Sequence, residues 1–350
     1  MLTIQAVILL VLPFCFAAPS EITFRNVTFK GYSVFIEKFK KTIPLSNSLK
    51  DFLPKVHYDD IEFKNQNIPI LYENSLADLD ELDELVIENC AVHEIRPGVL
   101  KNVPLLRRLS LKGNSLEKIE TGVFNNLPFS TLDLGLNSIR SISANAFNDM
   151  PNLLNINLAD NKITRWNPNW FQNTPLLTRI SLQNNAIETL PSHAFVNLEG
   201  EKIYGKLDLR INLIFSHNKI KTIHSEAFAG LKKINNLWLD FNQIEQFEDD
   251  LLENVVIDDL RLNNNNISCF EGDFDKLFRA DTTHIDSNPM ECECLQRIEE
   301  WSKKSGKRVE HFYADLECRA QRIKSKMTAL EKRLKEVKIQ DKETDTNMIY

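Results

Sequence analysis

The sequence predicts a curved solenoid of the α/β class, with a parallel β-sheet on the concave face, an irregular or helical convex side and a short C-terminal helix. Three observations predict it. The 350-residue chain repeats a pattern about every 24 residues, each unit contains a short alternation of apolar and polar residues, and an asparagine follows nearly every alternation. Periods of this length are typical of stacked units that share one continuous core.

The N-terminal segment, MLTIQAVILLVLPFCFAAPS, has an apolar run that ends at small residues before Pro19. This pattern is typical of a secretory signal peptide, and we expect cleavage after Ala17, which makes residues 1–17 the signal. The alternatives are a buried N-terminal strand and a membrane anchor. Because no second apolar run follows that could span a bilayer, we expect a secreted, extracellular protein whose cysteines form disulfides.

Residues 18–55 precede the first repeat and are predicted to form an N-terminal cap. The apolar residues Ile22, Phe24, Val27 and Phe29 come close to alternation, which indicates a hairpin. Such a hairpin would cover the open edge of the first repeat, where unpaired strand groups would otherwise be exposed.

Residues 56–286 contain the repeats, and the clearest unit is LLNINLADNKITRWNPNWFQN at 153–173. Ile156 and Leu158 would face the core from a short strand. The asparagine that follows would satisfy backbone groups where the chain turns out of the strand. This ladder position is occupied by Gln66, Cys90, Asn114, Asn137, Asn161, Asn185, Asn218, Asn242, Asn265 and Asn288. A second position, predicted to stack as an apolar spine on the outer side, is occupied by Leu76, Leu100, Phe124, Phe147, Phe171, Phe195, Phe228 and Leu252.

The stretch 199–212 departs from the period, because it adds about nine residues before the next ladder position. Its sequence LDLRINLI could itself be a strand that ends at Asn212. We place the ladder position at Asn218 instead, because Ile220 and Phe228 follow it in register. A bulged loop is therefore expected before Asn218.

These motifs resemble the extracellular leucine-rich repeat family, typical 24-residue class, over roughly residues 56–320. Residues 287–320 resemble the cysteine-containing C-terminal cap of that family, since Cys292-Glu-Cys294 is followed by Leu295, Ile298 and Trp301 on one helical face. The resemblance implies a disulfide between Cys292 and Cys318. Closing such a loop is worth roughly 3 kcal/mol.

Cys294 lacks the partner that a fourth cap cysteine provides in the family. Cys269 and Cys292 each lie four residues after a ladder asparagine, so they would stack about 4.8 Å apart, within disulfide reach. One topology therefore adds a Cys269–Cys294 bridge, and the other pairs Cys269 with Cys292 and Cys294 with Cys318. Cys90 is expected to remain a buried free thiol. No histidine has zinc-ligand spacing to these cysteines, so no metal is expected.

The tail, residues 321–350, carries apolar residues at alternating spacings of four and three, at Ile323, Met327, Leu330, Leu334 and Val337. This stripe is typical of a coiled coil, although it lasts only about two heptads. The alternatives are a helix that packs on the cap and a helix that frays in solvent. Secreted immune leucine-rich repeat proteins of insects are similar in carrying a C-terminal coiled coil, which implies a homo- or hetero-oligomer through this helix.

Several functional classes find no support in the sequence. The net charge of −7 gives no reason to expect a nucleic-acid partner. Signatures of hydrolases, metalloproteases and phosphate-binding loops are absent, so we expect neither an enzyme nor a cofactor. Asn26-Val-Thr28 and Asn266-Ile-Ser268 are sequons that a secreted protein would glycosylate.

The concave face is the predicted binding surface, formed by residues two, four and six before each ladder position. The later repeats supply an aromatic residue there, with polar neighbours, and the predicted ligand-binding residues are Trp238, Asp240, Asp259, Arg261 and His284. Tryptophan and arginine dominate interface hot spots because they bury much area and keep polar groups available. The alternative is that Trp238 merely packs against its neighbours or the 199–212 loop.

We therefore expect a protein that binds an extracellular protein ligand, in innate immune recognition or as an extracellular scaffold. The alternative is a structural protein of the extracellular matrix or of cell adhesion. Leucine-rich repeats are specific evidence for fold and weak evidence for function.

Overall fold

The computed structural model describes residues 21–35, 37–55, 57–198, 210–311, 316, 318–321 and 323–334. The predicted signal peptide, residues 1–17, lies outside the described residues. The same holds for positions 199–209 of the predicted loop and for 335–350 of the tail, including Val337.

Short strands dominate the described part of the chain. In chain order they are β1 Phe24–Ser33, β2 Glu37–Ser46, β3 Asp60–Lys64, β4 Ile70–Leu71, β5 Leu76–Ala77, β6 Glu84–Glu88, β7 Glu94–Ile95, β8 Leu100–Lys101, β9 Arg108–Ser110, β10 Lys118–Ile119, β11 Thr131–Asp133, β12 Ser141–Ile142, β13 Asn155–Asn157, β14 Arg179–Ser181, β15 Thr189–Leu190, β16 Ile211–Ile214, β17 Thr222–Ile223, β18 Lys233–Trp238, β19 Val256–Arg261, β20 Thr282–His284 and β21 Arg308–Glu310. The last repeat and the cap contain the helices α1 Phe274–Leu277 and α2 Cys292–Ser305, and 3₁₀ turns occur at Lys50–Phe52 and Pro168–Phe171.

A 13-stranded sheet runs through the described repeats in the order β2-β1-β3-β6-β9-β11-β13-β14-β16-β18-β19-β20-β21. From β3 onwards, each strand pairs in parallel with the next, as β13 does with β11 and β14. Ile156 at the centre of β13 is buried, whereas Asn155 and Asn157 on either side are partly exposed. The alternation seen in the sequence therefore separates the core from the concave face, and the predicted leucine-rich repeat solenoid is confirmed.

The ladder asparagines satisfy backbone groups of neighbouring turns, as predicted. In the clearest unit, the Nδ2 group of Asn161 donates to the carbonyl oxygens of Leu134 at 3.0 Å and Leu158 at 3.1 Å. Its Oδ1 atom accepts from the N–H of Ile139 at 2.9 Å. Cys90 replaces asparagine with a fully buried thiol that is free of disulfides, and burial raises the pKa of this thiol.

The outer side holds the predicted phenylalanine spine. The ring of Phe147 stacks on Phe124 at 6.2 Å and on Phe171 at 5.6 Å between centroids, and Phe195 stacks on Phe228 at 5.4 Å. All five rings are buried, so each of these five repeats contributes one aromatic layer to a continuous core.

The long insertion leaves the ladder unbroken. Nδ2 of Asn218 donates to the carbonyl oxygens of Leu182 at 2.9 Å and Phe215 at 3.0 Å. The strand of this repeat is β16, which continues past Asn212. The ladder position is therefore Asn218, as its register indicates.

The residue immediately before each ladder position has a left-handed backbone, with φ between 52° and 71°. This conformation costs about 1 kcal/mol or more for side chains other than those of glycine, asparagine and aspartate. We call these positions the edge column, because the chain leaves the concave strand there. Its members are Asn65, Asn89, Gly113, Leu136, Asp160, Asn184, His217, Phe241, Asn264 and Ser287.

A hairpin covers the N-terminal end of the sheet. β1 pairs antiparallel with β2 on one side and with β3 on the other. Phe24, Val27 and Phe29 of β1 are buried. The ring of Phe39 occupies the space that a Cβ atom at Gly31 would fill, so a larger residue there would displace that ring.

The hairpin is joined to the first repeats through a histidine. Nδ1 of His57 lies 2.5 Å from a carboxylate oxygen of Glu81, and Nε2 lies 2.9 Å from Asp59. The other oxygen of Asp59 accepts from the N–H of Val34 in the hairpin at 3.2 Å. Hydrogen bonds to Glu81 and then Asp59 raise the pKa of His57 above 6.5.

The C-terminal end is closed by α2 and β21. Leu295 and Ile298 of α2 are buried against the last repeat. The disulfides are Cys292–Cys318 and Cys269–Cys294, with Cα atoms 5.4 and 5.6 Å apart. The structure therefore has the first of the two topologies considered.

Beyond Cys318, residues 319–321 and 323–334 are helical where described. The apolar stripe of this helix points away from the rest of the protein, because its side chains are 58–60% exposed at Ile323, Met327, Leu330 and Leu334. The alternative of a stripe packed on the cap is therefore wrong for the described residues.

Candidate ligand-binding site on the concave face

The last strands of the sheet bring the predicted binding residues into one row. Pairing of β18, β19, β20 and β21 places Trp238 beside Arg261, Arg261 beside His284, and His284 beside Glu310. Each is partly exposed and alternates with a buried residue on the same strand. The row therefore lies on the concave surface, as the period-two pattern requires.

Asp259, two residues before Arg261 on β19, lies beside this row, accepts two hydrogen bonds and lies close to a third side chain. Its Oδ2 atom accepts from Nε1 of Trp238 at 2.9 Å and from Nε of Arg261 at 3.0 Å. Its Oδ1 atom lies 3.0 Å from Nε2 of His284. Because one carboxylate holds three side chains, the cluster is organised before any ligand arrives.

The arginine and the tryptophan also contact each other directly. Cζ of Arg261 lies 4.0 Å from the centroid of the Trp238 ring, a distance at which a cation is attracted to the ring face. Of the guanidinium nitrogens, Nε donates to Asp259, while the terminal nitrogens have no hydrogen bond to the described residues. These terminal groups can donate to a ligand.

The cluster continues to the end of the sheet through residues that the sequence did not indicate. Nδ1 of His284 lies 2.7 Å from a carboxylate oxygen of Glu310, and Nη2 of Arg308 lies 2.6 Å from the other. Both new residues belong to β21, which follows the cap helix. The alternation in Arg308-Val309-Glu310 after Gly306 is the signal that could have predicted this last strand.

Asp240 is the predicted site residue that lies apart from this cluster. It is buried, and its Oδ1 atom accepts from Oγ of Ser216 at 2.6 Å. Its carboxylate therefore joins two consecutive repeats below the surface. This arrangement gives Asp240 a structural role that the spacing from Trp238 did not predict.

The opposite end of the concave face differs in its charges. Burial, followed by the neighbouring carboxylate of Glu84, raises the pKa of Asp60. Glu84 lies 3.7 Å from Arg108, and Lys64 lies 3.2 Å from Glu62 and 3.9 Å from Glu88. The N-terminal end is thus a mixed acidic surface, in which the exposed ring of Tyr32 on β1 lies beside Asp60.

Comparison with known families agrees with this architecture. Residues 52–135 and 200–300 match the BspA type leucine rich repeat region, and residues 129–187 and 156–200 match the leucine rich repeat family. The chain belongs to the leucine-rich repeat proteins. These families describe repeat units, and no catalytic family is indicated.

The individual relatives are distant. Osteomodulin from Bos taurus is 25% identical over 247 residues, which are 65% of this chain and 58% of osteomodulin. The chain therefore spans less than two thirds of that relative's length. A crystal structure of the TLR13–ssRNA13 complex matches with a TM-score of 0.55 and 25% identity over 64% of this chain and 32% of the other. The Toll–Spatzle complex, from Drosophila, matches with a TM-score of 0.52 and 18% identity over 69% and 36% of the two chains.

Two further properties concern the surroundings of the site. Within the described ranges, none of the helices combines the length and apolar character needed to cross a bilayer. Among the same residues, no group of three or more histidine, cysteine or acidic side chains is placed to hold a metal ion.

Proposed function

We propose that this protein is a secreted recognition protein that binds another protein through the concave cluster of Trp238, Asp259, Arg261, His284 and Glu310. The observation that carries the proposal is the preorganised row around Asp259, which presents an aromatic face and a partly free guanidinium on one surface. Aromatic and arginine side chains held in this way are typical centres of protein interfaces.

The charge of the cluster supports a protein ligand over a nucleic acid. Its two carboxylates, Asp259 and Glu310, alternate with Arg261, Arg308 and His284. A phosphate backbone requires a surface with a clear excess of positive charge, whereas a protein ligand can match both signs. Among the structural neighbours, Toll is in complex with Spatzle and TLR13 with ssRNA13, so the charge of the cluster, and not the neighbours, favours a protein ligand.

Secretion is supported by the N-terminal apolar segment and by the disulfides of the C-terminal cap, since disulfides persist in oxidising compartments. Both sequon asparagines, Asn26 and Asn266, are exposed and therefore accessible to glycosylation. The Toll–Spatzle complex is described as a molecular hub in Drosophila development and innate immunity. For this chain we propose a role in immune recognition or extracellular scaffolding.

The tail helix supports an oligomeric form of this recognition protein. A short helix gains little stability in water by itself, and the apolar side chains of this one are 58–60% exposed. Pairing with a helix of a second chain would bury it at positions typical of a coiled coil. We propose that the protein assembles through residues 323–334, as a homo- or hetero-oligomer.

The test of the concave site begins with affinity capture of the partner from the native body fluid and its identification by mass spectrometry. Binding of the purified partner is then measured by interferometry. Trp238→Ala should weaken binding by about 2 kcal/mol, roughly 30-fold. Trp238→Phe should lose less, because it keeps the ring beneath Arg261.

Charge reversal of Glu84 and Glu88, at the far end of the concave face, is the matched control and should leave affinity unchanged. Full affinity in the Trp238→Ala protein, with loss on reversal of Glu84 and Glu88, would move the site to the acidic end. Recovery of the protein from tissue matrix by high salt, with none in body fluid, would favour the structural alternative.

A further inference from the structure

Three members of the edge column differ from the rest. Most positions hold asparagine, aspartate, glycine or serine, whereas Leu136, His217 and Phe241 place large side chains on a left-handed backbone. Leu136 is 50% exposed and Phe241 is 43% exposed, and His217 is also exposed. These residues therefore carry backbone strain while contributing little to the core.

The fold does not need these side chains. The N–H of Phe241 donates to the carbonyl oxygen of Asn263 at 3.0 Å, and that of His217 donates to Asp240 at 3.0 Å. The N–H of Asp160, in the same column, makes the equivalent bond to Gln183 at 2.9 Å. The backbone bond is thus independent of the side chain, and asparagine would preserve it.

The rings of His217 and Phe241 form a stacked pair at the edge of the sheet. Their centroids are 4.1 Å apart and their planes differ by 10°. The two exposed, stacked rings form an aromatic ridge, and rigid aromatic groups lose little conformational entropy when a partner binds.

The side chains next to this ridge, on the outer side of the ladder, are mainly positive. Exposed cations follow the ladder asparagines of three repeats, at Arg140, Lys162, Arg165, Lys219 and Lys221, whereas the repeat of Asn185 carries Glu188. In the part of the chain that the structure describes, none of them forms a salt bridge, although Lys162 donates to Ser138 at 3.2 Å.

Acidic groups here are fewer. Glu188 and Glu245 are exposed in the same row as Lys221, and Asp160 accepts from Asn184 at 2.8 Å. The cations therefore remain in excess, in contrast to the paired charges at the N-terminal end of the concave face.

We propose that the ridge of His217 and Phe241, together with Lys162 and Lys219, is a second binding surface for an acidic polypeptide segment that carries aromatic residues. Aromatic side chains of the segment would pack against the ridge, and its carboxylates would pair with the lysines. This surface lies outside the concave row and extends the proposed function to a second contact.

The test uses a soluble random copolymer of glutamate and tyrosine as the probe, with polyglutamate and heparin for comparison, and measures binding by interferometry at two salt concentrations. The double variant His217→Asn/Phe241→Asn restores the residue that the edge column favours. It should keep or raise the melting temperature and weaken copolymer binding by at least about tenfold. Lys162→Glu/Lys219→Glu should weaken binding further and reduce its salt dependence.

Trp238→Ala is the control that separates this proposal from the concave site, and it should bind the copolymer as the unmodified protein does. Undiminished copolymer binding by the asparagine double variant would overturn the proposal. A lowered melting temperature in that variant would assign the rings a structural role instead. Polyglutamate or heparin binding as tightly as the copolymer would show a nonspecific polyanion surface.

Discussion

Removal of one ladder side chain should destabilise the solenoid more than its size suggests. Asn161 is 9% exposed and lies at the centre of the array. The Asn161→Ala substitution removes the side-chain amide that forms hydrogen bonds with backbone groups of its own turn and of the preceding turn. The expected loss of unfolding free energy follows from which of these groups retain another partner.

The carbonyl oxygens are partly protected. Leu134 still accepts from Asn137 at 3.0 Å, and Leu158 still accepts from Asn185 at 2.9 Å. The N–H of Ile139 has no such substitute, because Oδ1 of Asn161 is its acceptor at 2.9 Å. An unsatisfied buried donor costs about 1–3 kcal/mol. Each hydrogen bond lost to a carbonyl oxygen that keeps another partner costs about 1 kcal/mol. The total is about 3–5 kcal/mol, a large share of a typical stability of about 5–15 kcal/mol.

Equilibrium urea unfolding, followed by the fluorescence of the buried Trp166 and Trp170 in the same repeat, measures this loss. Asn155→Ala is the matched control, since Asn155 lies on the concave face of that repeat, partly exposed. It should change the unfolding free energy by less than about 0.5 kcal/mol. If Asn161→Ala is no less stable than Asn155→Ala, the ladder does not stabilise the fold as argued.

Three other predictions concern the caps and the tail. Cys318→Ser, which opens the cap disulfide, should lower the unfolding free energy by roughly 3 kcal/mol and impair secretion; normal secretion and stability would contradict its role as a staple. The bonds of His57 to Glu81 and Asp59 raise its pKa, so their stabilising effect should be complete below pH 6.5 and lost as the pH rises through the raised value. His57→Gln should remove this pH dependence from thermal unfolding curves, and an unchanged profile would exclude His57 as its source. Truncation after Arg319 should convert any oligomer to a folded monomer by light scattering, whereas an intact protein that is already monomeric at micromolar concentration would refute assembly through the tail.

The repeated features could be predicted from the sequence because their determinants are local. The alternation around Ile156 and the asparagine at 161 recur at a constant period, so the strand, the turn and the ladder follow from a short stretch of residues. The same period placed Trp238, Arg261 and His284 on one surface and Phe147 in the spine. Stacking converts each local pattern into a column, and this is why sequence spacing translated into spatial rows.

Other features depended on contacts between distant parts of the chain. Glu310 completes the cluster only because β21 follows the cap helix back onto the sheet beside β20. Asp240 is buried, and its carboxylate accepts a hydrogen bond from Ser216 of the preceding repeat. The period assigns a residue to a face, but the hydrogen-bond partner that side chain finds depends on the neighbouring turn.

The exposed ridge of His217 and Phe241 belongs to this second group. The period places His217 and Phe241 one residue before the ladder position, but the left-handed backbone there and the stacking of the two rings are seen only in the structure. The repeats, their core and the concave surface could be predicted from residue order alone, since they follow from local periodicity. Which side chains of that surface bond to one another, and which remain available to a partner, is seen only in the folded chain, because these contacts depend on distances across turns about 24 residues apart.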